Sequence, residues 1–177
     1  MQTAQAILDA NCKLDDRLQP IVAMQPDVVF VFGAPRHFEP GGLVEALPAL
    51  LGAIPWLGCS TAGEIFHTGV SEDALVVTGL RFGKAVPLRF AQASCTDMEH
   101  SRQAGLALAT QLVADALAGV FLLAPGVHIN GSEVIAGARS AFADATKLCG
   151  GLAGDGGAFV RTYTVLNGIV SDSMLVA

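Results

Sequence analysis

Charge is scarce in this chain: Asp, Glu, Lys and Arg make up 15% of its 177 residues, and 10 basic against 16 acidic side chains leave a formal charge of −6. The basic residues are scattered singly, which excludes the clustered Lys and Arg that a nucleic-acid surface uses to displace counterions from phosphates. With 52% hydrophobic residues, the same scarcity excludes disorder, because apolar side chain is plentiful enough to offset chain entropy. Cysteine is sparse and dispersed. Cys12, Cys59, Cys95 and Cys149 form no CxxC pair, so no metal site and no redox motif is expected, and the thiols read as reduced and mostly buried. Uninterrupted apolar runs are lacking too. The stretch 43–57 is broken by Pro48, Gly52 and Pro55, and 104–123 carries Gln111 and Asp115, so neither is expected to span or bind a membrane. The N-terminus has no basic segment leading into an apolar block, which points to a cytoplasmic protein.

What is present is a succession of strand and helix signals. Residues 3–18 place Ala6, Ile7, Leu14 and Leu18 at helix-like intervals ahead of Pro20, predicting an N-terminal helical segment within residues 1–25. The run 27–32 (DVVFVF) is β-branched and apolar, as in a strand covered on both faces. Residues 41–51 have helical spacing that Pro48 should split. The segments 56–60, 74–82 and, at an edge, 86–91 read as further strands. In the second half Thr96 and Glu99 form a capping box for a helix to about Leu117. Residues 119–123 read as a buried strand, Asn130 caps a helix to about Phe142, and 147–150, 161–166 and 173–177 complete the strands, with Asn167-Gly168 as a turn.

Both halves therefore share one order of elements. Phe30 and Phe121, His37 and His128, Leu57 and Leu148, Ala62 and Ala153, Gly63 and Gly154, and Glu64 and Asp155 all stand 91 residues apart. This predicts an internal duplication: an α/β fold whose mixed β-sheet, covered by helices, is built from two pseudo-repeated β-α-β-β units at about residues 26–92 and 97–177.

Two segments stand out chemically, GCSTAGEIF from Gly58 and CGGLAGDGGAF from Cys149. Each leaves a strand into a glycine-dense turn where backbone NH groups can meet a ligand. The alternative is that the glycines only permit tight turns and close packing. Neither segment is a Walker loop or a dinucleotide fingerprint. Candidate ligand-binding residues are Gly58, Ser60, Thr61, Gly63 and Glu64 from one turn, with Gly150, Gly151, Gly154 and Asp155 from the other. Hydroxyls and NH groups would donate, and the carboxylates would meet a ligand amine. Catalysis is not indicated: Ala62 stands where a nucleophile elbow has glycine, and Cys59 sits among apolar neighbours.

GCSTAGEIF, the following Ser71-Glu72-Asp73 and strand ALVVTGLRF, and the later CGGLAGDGGAF and NGIVSDSMLVA segments together resemble the N-terminal domain of the FIST family, over roughly residues 25 to 177. The resemblance implies a cytoplasmic sensory module of signal transduction, without established catalytic residues, that binds a small ligand such as an amino acid. It implies as partner a C-terminal FIST domain, absent from this chain, or an output domain such as a histidine kinase or cyclic-dinucleotide enzyme. Some similar proteins sense nitric oxide through heme. That alternative would require noncovalent heme b, since CxxCH is lacking, with His37, His67 or His128 as axial ligand. Family members carrying an F-box suggest a further alternative, a protein–protein interaction module.

Overall fold

In the computed structural model, residues 1–9, 13–115 and 117–177 are described; Cys12, one of the four thiols, lies outside them. The first half runs β1 (Gln2–Leu8), α1 (Leu14–Ala23), β2 (Val28–Gly33), α2 (Leu47–Leu51), β3 (Trp56–Ser60), β4 (Glu64–Phe66), β5 (Gly69–Ser71) and β6 (Leu75–Arg81). The second runs β7 (Gln92–Ser94), α3 (Ser101–Leu112), β8 (Gly119–Ala124), α4 (Gly131–Arg139), β9 (Lys147–Leu152), β10 (Thr164–Leu166), β11 (Ile169–Ser171) and β12 (Met174–Val176).

These elements stack as helix, sheet, sheet, helix. Side-chain alternation along the strands dictates the layering, since successive residues point to opposite faces. In β2, Val29 and Val31 pack with Leu18, Ile21 and Leu47 beneath α1 and α2, while Val28, Phe30 and Phe32 point the other way. In β8, Val120, Leu122 and Ala124 pack with Leu108 and Val134 beneath α3 and α4, while Phe121 and Leu123 point back toward the first sheet. The two sheets thus share an inner layer, in which Phe30 meets Phe121 edge to face at 5.0 Å between ring centroids. Each fully buried Val or Leu in these layers stabilises by roughly 1.5–3 kcal/mol.

The first sheet has six strands in the order β1-β6-β2-β3-β10-β11, and the second four, β7-β12-β8-β9. Each contains one parallel pair, β2 with β3 and β8 with β9, among antiparallel neighbours. The fold class is mixed α/β, as the sequence predicts, with the strands divided between two main sheets and a lone β4–β5 hairpin.

Several local expectations are corrected. The N-terminal helical segment begins as a strand: β1 pairs with β6 along its whole length, from Gln2 opposite Arg81 to Leu8 opposite Leu75. Helix α1 comes next, with Pro20 inside it. Residues 86–90 form no strand; the edge strand is β7. No side chain caps α3: its N-cap residue is His100, whose N donates to Asp97 Oδ1 at 3.0 Å in the turn before the helix, so Thr96 and Glu99 do not form the box. Asn130 does cap α4, accepting from Glu133 N at 3.2 Å. The constant 91-residue spacing is not kept. Thr61 N donates to Gly33 O and Ala153 N to Ala124 O, which aligns Thr61, rather than Ala62, with Ala153 and puts the two acidic residues out of register.

Candidate functional site

The two glycine-rich turns meet, at the ends of β3 and β9. Gly154 N donates to Ser60 O at 2.8 Å, and Ser60 N donates to Tyr163 O at 2.8 Å. The Ser60 hydroxyl oxygen accepts from Tyr163 N at 2.9 Å. These bonds lock β3 to the chain entering β10 and leave Ser60 fully buried. A methyl at Gly154 would stand only 2.9 Å from Ala62 N, so the turns touch through backbone with no space between them.

The carboxylates close their own turns. Glu64, 2% exposed, accepts from Thr61 Oγ1 at 2.7 Å and from Ala74 N at 3.1 Å. Asp155 accepts from the backbone of Phe159 at 3.0 Å, Val160 at 2.7 Å and Arg161 at 3.2 Å. Those donors, Val160 foremost, hold its carboxyl below the usual carboxylate range. Gly58 and Gly150 are packing glycines: a methyl at either would collide with a carbonyl oxygen of the neighbouring strand, Val31 for one and Leu122 for the other.

The residues that face open space lie around this junction. Thr61, Gly63 and Glu64 border a 420 Å³ cleft whose walls are Phe30, Phe32, Val76, Leu80 and Phe121, with Gln5 and Thr78 as its other polar groups. Gln5 Nε2 donates to Thr78 Oγ1 at 2.9 Å. Neither Lys nor Arg lines this cleft. Across the Phe30–Phe121 pair a second apolar hollow of 210 Å³ continues between the sheets toward Phe82 and Phe90. Gly150 and Gly151 border a different cleft, beside β9. Gly58, Ser60, Gly154 and Asp155 line none of the three.

Sequence reading missed the inner-layer aromatics, taking the β2 run as covered core. The signal was available in part: Phe30 and Phe32 share one face by strand alternation, and Phe121 stands at the matching place in β8.

A family model for the FIST N domain matches residues 27–177. The chain belongs to that family. FIST domains are assigned as sensory domains of signalling proteins. Neither a search of curated proteins nor one of solved structures finds a significant match.

Within this FIST N domain the histidines do not gather at the clefts. His37 is 3% exposed, and its Nε2 is buried without a hydrogen-bond partner. Burial, and then the Arg36 guanidinium, lower its pKa, partly opposed by Asp73 and Glu64. His67 and His128 are exposed, in left-handed backbone at φ 52° and 60°, and neither borders the three clefts. The residues present therefore do not fit heme: the His37 Nε2 is enclosed by packing, and the exposed His67 and His128 border none of the three apolar clefts. Among the described residues no cluster of three metal-ligating side chains occurs. Cys59, 3% exposed, has its thiol pushed up to about 12 by burial, which keeps it protonated and non-nucleophilic. Cys95 is buried too, but Cys149 is exposed on β9. No helix among the described residues is long and apolar enough to cross a membrane.

Proposed function

We propose that this FIST N domain is the input module of a cytoplasmic signalling protein, taking a small ligand in the cleft beside Thr61, Gly63 and Glu64, by recognition rather than catalysis. The observation that carries this reading is the cleft itself: 420 Å³ of space walled by aromatic and aliphatic side chains, with a few polar groups at one side, which is the usual construction of a small-molecule site. The chemistry selects a ligand with an apolar or aromatic body and one or two hydrogen-bonding groups. An amino acid with an apolar side chain, or its amine, meets that description; a strongly anionic metabolite does not, because no cation lines the cleft. Thr61, Gln5 and Thr78 would orient the polar end, and the Glu64 carboxylate would favour an amine over a second carboxylate.

Ile65 borders the same cleft, so an occupant bears on the β4 strand and can shift the β4–β5 hairpin. The output partner is a domain of the FIST-associated kinds, a C-terminal FIST domain, a histidine kinase or a cyclic-dinucleotide enzyme, responding to that shift. A thermal-shift screen of apolar amino acids, their amines and related metabolites tests the reading. A true ligand at about 100 times its Kd adds roughly 2.7 kcal/mol, several degrees in Tm. Gly63→Val places its branch at the border of the cleft, with Val70 Cγ1 3.5 Å from the added methyl, and should reduce that rise. A rise unaffected by Gly63→Val, or none across the screen, contradicts the assignment.

A further inference from the structure

The chain contains two hairpins of one design. Each joins two three-residue strands through a two-residue turn, His67 and Thr68 in β4–β5, Asn167 and Gly168 in β10–β11. Each has an apolar pair at its centre, Ile65 opposite Val70 and Val165 opposite Val170. One is docked: β10 adds antiparallel to the outer edge of β3, Val165 opposite Gly58, and Val165 is fully buried with Val170 packed beside it. The other is not. β4–β5 makes a two-stranded sheet of its own, with Ile65 74% and Val70 73% exposed.

Strand β9 resembles β3 stripped of its hairpin. Each is the outer member of a parallel pair, and Gly150 stands opposite Leu122 as Gly58 stands opposite Val31. Yet β9 ends its sheet. Where Val165 fills the space beside β3, an open 890 Å³ cleft lies beside β9, walled by Leu122, Val134, Ile135, Leu148 and Leu152. Beyond Lys147 at its start, β9 carries no charge and no proline, and beyond the buried Glu64 the hairpin carries no Lys, Arg, Asp, Glu or Pro. Those are the residues with which natural proteins keep an exposed edge from pairing.

We propose that the β4–β5 hairpin of a second copy of this chain docks on the β9 edge, Ile65 opposite Gly150, with Ile65 and Val70 entering the apolar cleft. This is strand addition, in which main-chain hydrogen bonds supply the pairing and alternate side chains supply the fit. The occupant is identified by the chain itself: its free hairpin matches the docked one in strand length, turn length and central pair. Each copy offers one hairpin and one edge, so the contact either is exchanged reciprocally in a two-fold dimer or runs head to tail into a ring or a longer assembly. Nothing in this rests on a ligand in the cleft beside Thr61.

Sedimentation velocity of the full chain over roughly 1–100 µM, a range that captures a moderate interface, tests it. The mass should rise from 18.2 kDa to a multiple with concentration. Ile65→Asp with Val70→Asp, on the exposed hairpin, should weaken association at least tenfold while leaving circular dichroism and the Tm of the dilute monomer unchanged. Ile135→Asp, 43% exposed on the cleft wall, should do the same from the acceptor side. A labelled hairpin variant should bind the Ile135→Asp variant more tightly than either binds itself, since together they retain one intact hairpin and one intact edge. A wild type that stays monomeric, association indifferent to the hairpin variant, or a mixture that does not pair would each overturn the proposal.

Discussion

The β10–β11 hairpin and the β4–β5 hairpin are alike in length and in their central apolar pair, yet one is a structural member of the six-stranded sheet and the other stands outside both main sheets. The difference lies in the connection that leads into each hairpin. Between β9 and β10 the chain spends residues 153–163 on a long turn, folded around Asp155, that carries the hairpin across to β3. Between β3 and β4 only residues 61–63 intervene, and Glu64 ties that short turn to Ala74. The hairpin is held near its own half and cannot make the matching crossing to β9. Local turn length, rather than strand sequence, decides which edge of the molecule is finished.

The largest effect should separate the two hairpins directly. Val165→Asp buries a charge in the core beside Trp56 and should cost about 4 kcal/mol or more, whereas Ile65→Asp should change the monomer's stability by no more than about 0.5 kcal/mol. Urea unfolding at low concentration measures both, and equal losses would break the comparison. Next come the glycines. Gly58→Ala should cost roughly 3 kcal/mol by driving β3 off β2, but Gly151→Ala on β9, with open space around the added methyl, should be neutral within about 0.5 kcal/mol.

A smaller difference is expected at the turns. Asn167 Oδ1 accepts from Trp56 N at 2.8 Å, so Asn167→Ala should cost about 1–3 kcal/mol by orphaning a half-buried amide. His67→Ala, on the free hairpin, should cost less.

The smallest effect is the acid response of the long turn. The Asp155 carboxyl is lowered in the folded state by backbone donors, so its contribution is complete above the ordinary carboxylate range and is lost as pH falls through the lowered folded value. The Tm advantage of wild type over Asp155→Asn should therefore be present at pH 7 and disappear on strong acidification. A constant advantage at every pH would show that the turn is held by something other than this charge.

The sequence shows some of this plainly. DVVFVF and WLGCS are strands because apolar runs between a proline-rich loop and a glycine turn have no other low-energy solution, and β3 falls on the predicted residues. Asn130 caps α4 as its spacing with Glu133 predicts. The N-terminal strand was illegible because QTAQAIL combines good helix formers, and only pairing with β6 across the fold overrides that preference. The β4–β5 hairpin was hidden for another reason: strands of three residues around His67-Thr68 give no periodicity and no standard turn signal. At the candidate site, Thr61, Gly63 and Glu64 were legible from composition. The aromatic walls were not, because Phe30, Phe32 and Phe121 become one surface only when two sheets face each other. Composition also concealed that the Ser60 hydroxyl would be spent on the amide of Tyr163, 103 residues away.

Amide hydrogen exchange on β3 and β9, read residue by residue at increasing protein concentration, most directly tests the claim that one strand edge is finished within the chain and the other between chains. Ser60, bonded to Tyr163 O, should be protected at every concentration. On β9, the amides facing away from β8, at Gly150 and Leu152, should exchange fast in dilute solution and become protected as concentration rises, together with Ile65, whose amide points out from β5 toward the new partner strand. Protection of β9 already complete in the dilute monomer, or exchange at Gly150 and Leu152 that stays fast at all concentrations, would contradict the account.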